Sequence, residues 1–287
     1  MFYHKEEFIM HRSIQIICTF LLVLSLAIAG CGQQNTSTSS ASGSASSQKA
    51  ALKVGVTPGP HAEVMDVVKK VAEKNGLALE VIEFNDYVQP NAALVSGEID
   101  VNSFQHQPYL DNMVKDRGYN LVSVAKTIIF PMGVYSKKIK NISDIANGAA
   151  LAIPNDPTNG GRALMLLEKA GLLKLKDGLG IQATVADIVE NPKNIKIQEM
   201  DAAQIPRSLE DMDAAVINTN YAMSAGLVPN KDALILEDSN SPYANILATT
   251  SDKKDDPRIQ QLIKIYQSDE VKAFVDDHFA GSAFAAW

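Results

Sequence analysis

This sequence is short of the residues that most enzyme and metal chemistry requires. Its 287 residues include two cysteines, Cys18 and Cys31, and five histidines. A disulfide framework is therefore excluded from the body of the chain, and at this length none is needed. Only His61, His106 and His278 lie beyond residue 50, with no H-E-x-x-H pair or histidine-rich loop among them. There is no G-x-S-x-G turn and no G-x-x-x-x-G-K-[ST] loop, so the best-marked signatures of serine hydrolases and phosphate-binding loops are missing too. Positive charge is equally scarce. With 26 Lys and Arg against 33 Asp and Glu, the net charge is −7, which argues against nucleic acid as a partner.

Long apolar runs are limited to one, "IQIICTFLLVLSLAIA" at 14–29. It follows a short basic start and ends in small residues at Gly30-Cys31, the pattern of a secretory signal and too short for a comfortable spanning helix. Glu6-Glu7 are foreign to such a segment, and Met10-His11-Arg12 makes the better start. "LAIAGC" resembles a bacterial lipobox, so residues 1–30 are expected to be a lipoprotein signal peptide and Cys31 the lipidated residue. Ordinary secretory cleavage beside an incidental cysteine is the alternative. Residues 31–50 continue as "CGQQNTSTSSASGSASSQKA", which has no apolar face to bury and reads as a flexible tether. One acyl chain holds a membrane weakly and two hold it stably, so tether and lipid suffice as an anchor on the extracytoplasmic face of the cell membrane.

From residue 51 the chain alternates strand and helix patterns. "ALKVGV" is a short β-branched strand. Val64, Val67, Val68 and Val71 then recur at helical spacing, with Lys69, Lys70, Glu73 and Lys74 opposite, up to Asn75-Gly76. "LALEVIEF", "IDVN", "ALAIPND", "IKIQEM" and "AAVIN" read as further strands. Helices are expected at "NAALVSGE", "PYLDNMVKDRG", Gly161 to Ala170, around Pro206 to Asp211, and twice near the C-terminus. This is an α/β chain. Extended crossings near 130–138 and 241–249 suggest two lobes, residues 51–135 with 246–287 and residues 136–245. A single doubly wound domain is the alternative that periodicity leaves open.

Four clusters could carry chemistry. In "NDPTNGGRALMLLEKAGL", Asn159, Gly160 and Gly161 precede a helix and Arg162 stands in its expected first turn. Glycines at a helix start let an anion approach the unpaired N–H groups, and arginine can clamp a carboxylate; the plain alternative is a turn and a surface arginine. "SFQHQPYL" gathers Phe104, His106 and Tyr109. No nucleophile or companion ligand accompanies His106, so catalysis and metal binding both lack support, and an aromatic wall remains. Tyr87 in "FNDYVQPNAAL" sits on a loop at a strand end, where α/β sheets bind ligands. Asn218 and Asn220 follow the strand "AAVI", and Asn245 lies in the proposed return crossing. An arginine, strand-end asparagines and an aromatic wall are the parts of a small amino-acid site.

"TPGPHAE", "FNDYVQPNAAL", "GEIDVNSFQHQPYL", "AIPNDPTNGGRALMLLEKAGL", "DIVENPKN", "AAQIPRSL", "DAAVINTNYA" and "SPYANI" closely resemble, in this order, the MetQ/NlpA family of substrate-binding lipoproteins. The likeness runs from Leu52 onward and departs only mildly, as at Gly59. It implies a two-lobe type II periplasmic-binding-protein fold with two crossover strands, no catalytic residues, no cofactor and no metal. It also implies that L-methionine or a close analogue is held between the lobes, and that the partners are an ABC permease and its ATPase. By the same resemblance Tyr87, Phe104, His106 and Tyr109 surround the ligand side chain, Arg162 holds its carboxylate and Asn220 its head group, with Asn159, Asn218 and Asn245 nearby. Another apolar amino acid or short peptide, a metal, or an enzyme substrate are the rival cargoes.

Overall fold

Strand β1 (Leu52–Val56) ends at Thr57-Pro58-Gly59, where Gly59 turns the backbone at φ 75°. Helix α1 (Pro60–Lys74) begins directly after it; proline suits a first helical position because its missing N–H would find no partner there. Val64, Val68 and Val71 form the buried stripe expected from their spacing, and β2 (Leu79–Glu83) returns parallel to β1. These details come from a computed structural model that describes residues 50–287. The expected signal peptide, Cys31 and all of the tether but Ala50 lie outside the described residues. Among those described, no helix is long and apolar enough to cross a membrane.

Helix α2 (Gln89–Ser96) closes on the left-handed Gly97, followed by β3 (Val101–His106), α3 (Gln107–Arg117) and β4 (Leu121–Ile129). β3 carries "SFQH" and is buried along its whole length, as a strand covered on both faces must be. Pro131 then breaks the ladder, since proline has no N–H to donate. Beyond it β5 (Gly133–Tyr135) pairs with a second set of strands. β6 (Ala150–Pro154), α4 (Pro157–Lys169), β7 (Lys174–Leu175), β8 (Ile188–Glu190) and β9 (Lys196–Met200) follow. α5 (Ile205–Ser208), β10 (Ala214–Ile217), α6 (Thr219–Ser224), α7 (Pro229–Asp232) and β11 (Ile235–Leu236) complete that region. The chain then returns through β12 (Ala244–Thr250), α8 (Pro257–Tyr266), α9 (Asp269–Phe279) and β13 (Phe284–Ala285).

Two mixed sheets result, ordered β13-β4-β12-β3-β1-β2 and β11-β5-β10-β6-β9, with β7 and β8 as a separate pair. α1, α8 and α9 cover one face of the first sheet through Val68, Leu262 and Val275, while α2 and α3 cover the other through Leu94 and Leu110. Leu164 and Leu167 of α4 pack on the second sheet, and Ile205 and Ala222 cover its opposite face. Sheet membership changes between Ile129 and Gly133 and again between Leu236 and Ala244. β5 therefore belongs to the second sheet although it lies before the 135/136 boundary read from the sequence, and all of β12 belongs to the first.

One local expectation needs correcting. α4 starts at Pro157, capped by the Asp156 carboxylate on the Asn159 N–H at 2.9 Å, not at Gly161. Gly160 and Gly161 look like loop residues, yet they lie inside the helix. A Cβ at Gly161 would overlap the backbone carbonyl of Ile181, so glycine serves close packing here. Arg162 consequently sits in the second turn, away from the free N–H groups of the helix end.

Candidate functional site

A cleft lies where elements of the two sheets meet, and all nine ligand-contact positions expected from the sequence line it. Phe104 and His106 come from the end of β3, Tyr109 from the first turn of α3, and Tyr87 from the loop between β2 and α2. Asn245 stands on β12 opposite His106. Asn159 and Arg162 come from α4, and Asn218 and Asn220 from the start of α6.

The aromatic wall is mutually braced. Tyr87, Phe104 and Tyr109 form a triangle with ring centroids 5.9 to 6.1 Å apart, and the Tyr109 hydroxyl donates to the Tyr87 carbonyl at 2.9 Å. Edge and tilted contacts of this kind suit ring quadrupoles and leave faces for an apolar or thioether group. Gln105, beside them, is tied into a buried amide cluster with Asn91 and Asn102 at 2.8 to 2.9 Å.

His106 is held as a neutral spacer. Its Nδ1 accepts from the Tyr109 N–H at 3.1 Å, capping α3. Nε2 lies 3.2 Å from Asn159 Oδ1. The Asn159 Nδ2 donates to both carboxylate oxygens of Asp156 at 3.0 and 2.9 Å, so Oδ1 is the acceptor and His106 carries its proton on Nε2. Burial, helped by the nearby Arg162 charge, pushes its pKa down to about 3. Both ring nitrogens are spent within the protein, which suits a wall residue and neither a base nor a metal ligand. Among the described residues no group of three or more His, Cys, Asp or Glu side chains is arranged to hold a metal ion.

Arg162 is anchored from below. Nε and Nη2 donate to the two carboxylate oxygens of Glu237 at 2.8 and 2.5 Å, and Nη2 also reaches the Phe130 carbonyl at 3.0 Å. The Tyr243 ring packs on the guanidinium, 4.4 Å from Cζ to the centroid. Those bonds use one edge of the guanidinium and leave Nη1 for a ligand. Glu237 supplies the counter-anion of Arg162 from within the chain.

The asparagines divide their labour. Asn218 donates to Asn159 Oδ1 at 2.9 Å, and its own Oδ1 is buried without a protein partner. Asn159 uses its whole amide on Asp156, His106 and Asn218, so it orients neighbours. Asn220 accepts the Tyr87 hydroxyl at 2.5 Å and places Nδ2 3.5 Å from Thr57 Oγ1. Sequence reasoning missed His61, Gln105, Phe130 and Thr219 in the lining, and Glu237 behind it. The signal for His61 was its place in "TPGPHAE", directly after a strand end.

An α/β chain that passes twice between two sheets, with a cleft lined from both, has the two-lobe type II periplasmic-binding-protein fold. The sequence pattern of the NlpA lipoprotein family matches residues 52–287, and the chain belongs to that family. It is 50% identical over 269 residues to the D-methionine-binding lipoprotein MetQ of Salmonella typhimurium, covering 93% of this chain and 95% of that one. The Escherichia coli MetQ is 49% identical over the same length and coverage. Among solved structures, a Burkholderia cenocepacia nutrient-binding protein bound to methionine superposes with a TM-score of 0.80 at 58% identity, covering 82% of this chain and all of that one. A methionine-binding MetQ structure gives 0.80 at 51%, covering 82% and 98%.

Proposed function

We propose that this protein is a lipid-anchored, extracytoplasmic solute-binding protein that captures methionine, or a close analogue, between two lobes and delivers it to an ABC permease and ATPase. The observation that carries this reading is the division of one cleft into an aromatic wall and a polar end holding Arg162 Nη1 and Asn218 Oδ1. A thioether side chain fits the first and a zwitterionic head group the second. Tyr87, Phe104, His106 and Tyr109 surround the side chain, Arg162 takes the carboxylate, and Asn218, Asn220 and Asn245 serve the head group, with Asn159 holding His106 and Asn218 in place. Burying a zwitterion is favourable only if both charges are paired.

The lobes are residues 51–135 with 246–287 and residues 136–245, a division supported by the change of sheet between β4 and β5 and again between β11 and β12. Ligand favours closure only through its higher affinity for the closed form. Cys31 carries the lipid in this reading. The protein is a binding protein and not an enzyme in this reading, in keeping with relatives whose names describe methionine-binding lipoproteins. Mass spectrometry of small molecules released on denaturing the purified protein tests the proposal. Methionine near one per chain is expected, and a different stoichiometric molecule overturns the ligand assignment.

A further inference from the structure

We infer that His61 is a ligand-binding residue of this cleft, its Nε2–H fixed as a donor to an anionic oxygen of the solute by the hydrogen-bond chain Tyr87–Asn220–Thr57. This rests on the proposed amino-acid site and adds to it a second carboxylate donor.

The direction of the chain follows from counting hydrogens. The Tyr87 hydroxyl meets Asn220 Oδ1 at 2.5 Å, so that oxygen accepts. Asn220 Nδ2 has no lone pair to offer, and its 3.5 Å contact with Thr57 Oγ1 is a donation. Thr57 is fully buried, so its own hydroxyl hydrogen needs an acceptor, and His61 Nδ1 lies 2.7 Å away. Nδ1 is therefore unprotonated, and the ring hydrogen sits on Nε2. Nε2 is buried with no protein partner, although His61 is only 4% exposed and lines the cleft.

A buried donor left unpaired is costly, and a ligand oxygen would relieve it. Phe130 locates that oxygen. Its ring packs edge-on against His61 with centroids 4.8 Å apart, and its carbonyl receives Arg162 Nη2 at 3.0 Å. One residue thus brackets both donors at the same end of the cleft, and a carboxylate is the group that uses two. Asn218 Oδ1, an acceptor, is left for the ammonium. Burial pushes the His61 pKa down to about 3, so the ring stays neutral and the donor does not switch with pH.

The test uses the full chain in detergent. Titration calorimetry with methionine is run on the wild type and on His61→Phe, His61→Gln and Thr57→Val, with thermal melting of each. His61→Phe keeps the ring but loses the donor, and its affinity should fall about ten- to a hundredfold, the worth of a hydrogen bond to a charged group. His61→Gln, which retains an N–H, should recover part of the loss. Thr57→Val, which frees Nδ1 to take the proton, should weaken binding and serves if His61→Phe melts early. Side-chain ¹⁵N spectra of the unliganded wild type should show His61 protonated on Nε2. A folded His61→Phe that binds methionine as tightly as the wild type overturns the inference, as does an Nδ1–H tautomer. Wild-type protein that ignores methionine overturns the proposed ligand instead, and the tautomer alone then decides the donor.

Discussion

Arg162 and Glu237 lie edge to edge, 75 residues apart in sequence, with two guanidinium nitrogens 2.8 and 2.5 Å from the two carboxylate oxygens. Arg162 is buried, at 4% exposure, and Glu237 largely so, at 12%. The pair neutralises the arginine before any ligand arrives, and it leaves Nη1 outside the ion pair. Specificity for a carboxylate then comes from geometry more than from raw charge.

Arg162→Ala should remove most of the methionine affinity, on the order of a hundredfold or more for a charge-assisted contact. It should also lower stability, because the partly buried Glu237 loses its countercharge. Arg162→Lys should keep part of the stability but little of the affinity, since a point charge replaces a fork. Calorimetry with parallel melting curves separates the two effects; unchanged binding in Arg162→Ala contradicts the assignment.

Glu237→Gln should lower affinity without removing Arg162. The amide pairs less strongly with Nε and Nη2 and also loosens the Met132 N–H, which donates to the Glu237 carboxylate at 2.9 Å. A fall of about tenfold is expected from one weakened charge-assisted contact, with Glu237→Asp no better because the shorter arm cannot span both nitrogens. Methionine titrations on the two variants read this directly.

Stability should fall on acidification while binding stays level. His61 and His106 both have pKa values of about 3 in the folded state, against about 6.5 in an unfolded chain. The unfolded state binds more protons between these values, so each neutral histidine contributes stability above about pH 6.5 that is lost as pH falls toward 3. Asp100, held low by Lys253 and the Lys53 N–H despite its partial burial, adds to the loss at the acid end. Asp156 works in the opposite sense, because burial raises its pKa. Melting temperatures at pH 7, 6, 5 and 4 should decline steadily, with methionine affinity level from pH 7 to 5.

Gly161→Ala should be far more damaging than Gly160→Ala. At Gly161 the new methyl meets the backbone of Ile181, which has nowhere to go; at Gly160 it meets only the Pro154 carbonyl, at 3.0 Å. Overpacking of this kind costs about 1–3 kcal/mol or more. Gly161→Ala should also weaken methionine binding, since Arg162 is the next residue. Denaturant melts of the two variants give the comparison.

Much of this site could be read along the chain, because its parts sit in local patterns. The stripe of Val64, Val68 and Val71 announces α1, and Phe104, His106 and Tyr109 are close enough in sequence to suggest one wall. Arg162 and the strand-end asparagines were also legible. Residues whose roles depend on distant partners were not. Nothing near Glu237 announces Arg162, and nothing near His61 says that Thr57 and Asn220 will orient its ring. Gly160-Gly161 mimic a loop because glycine required by close packing looks the same in sequence as glycine required by a turn. The extended stretch around Pro131 marks a crossing, but apolar extended chain reads alike on either side of it, so its edges are not legible.

Titration calorimetry of the ligand-stripped protein with each methionine enantiomer tests the central claim most directly. Saturable heat at one ligand per chain, abolished in Arg162→Ala, is the predicted result. No saturable heat with either enantiomer, from protein that melts cooperatively, would contradict it.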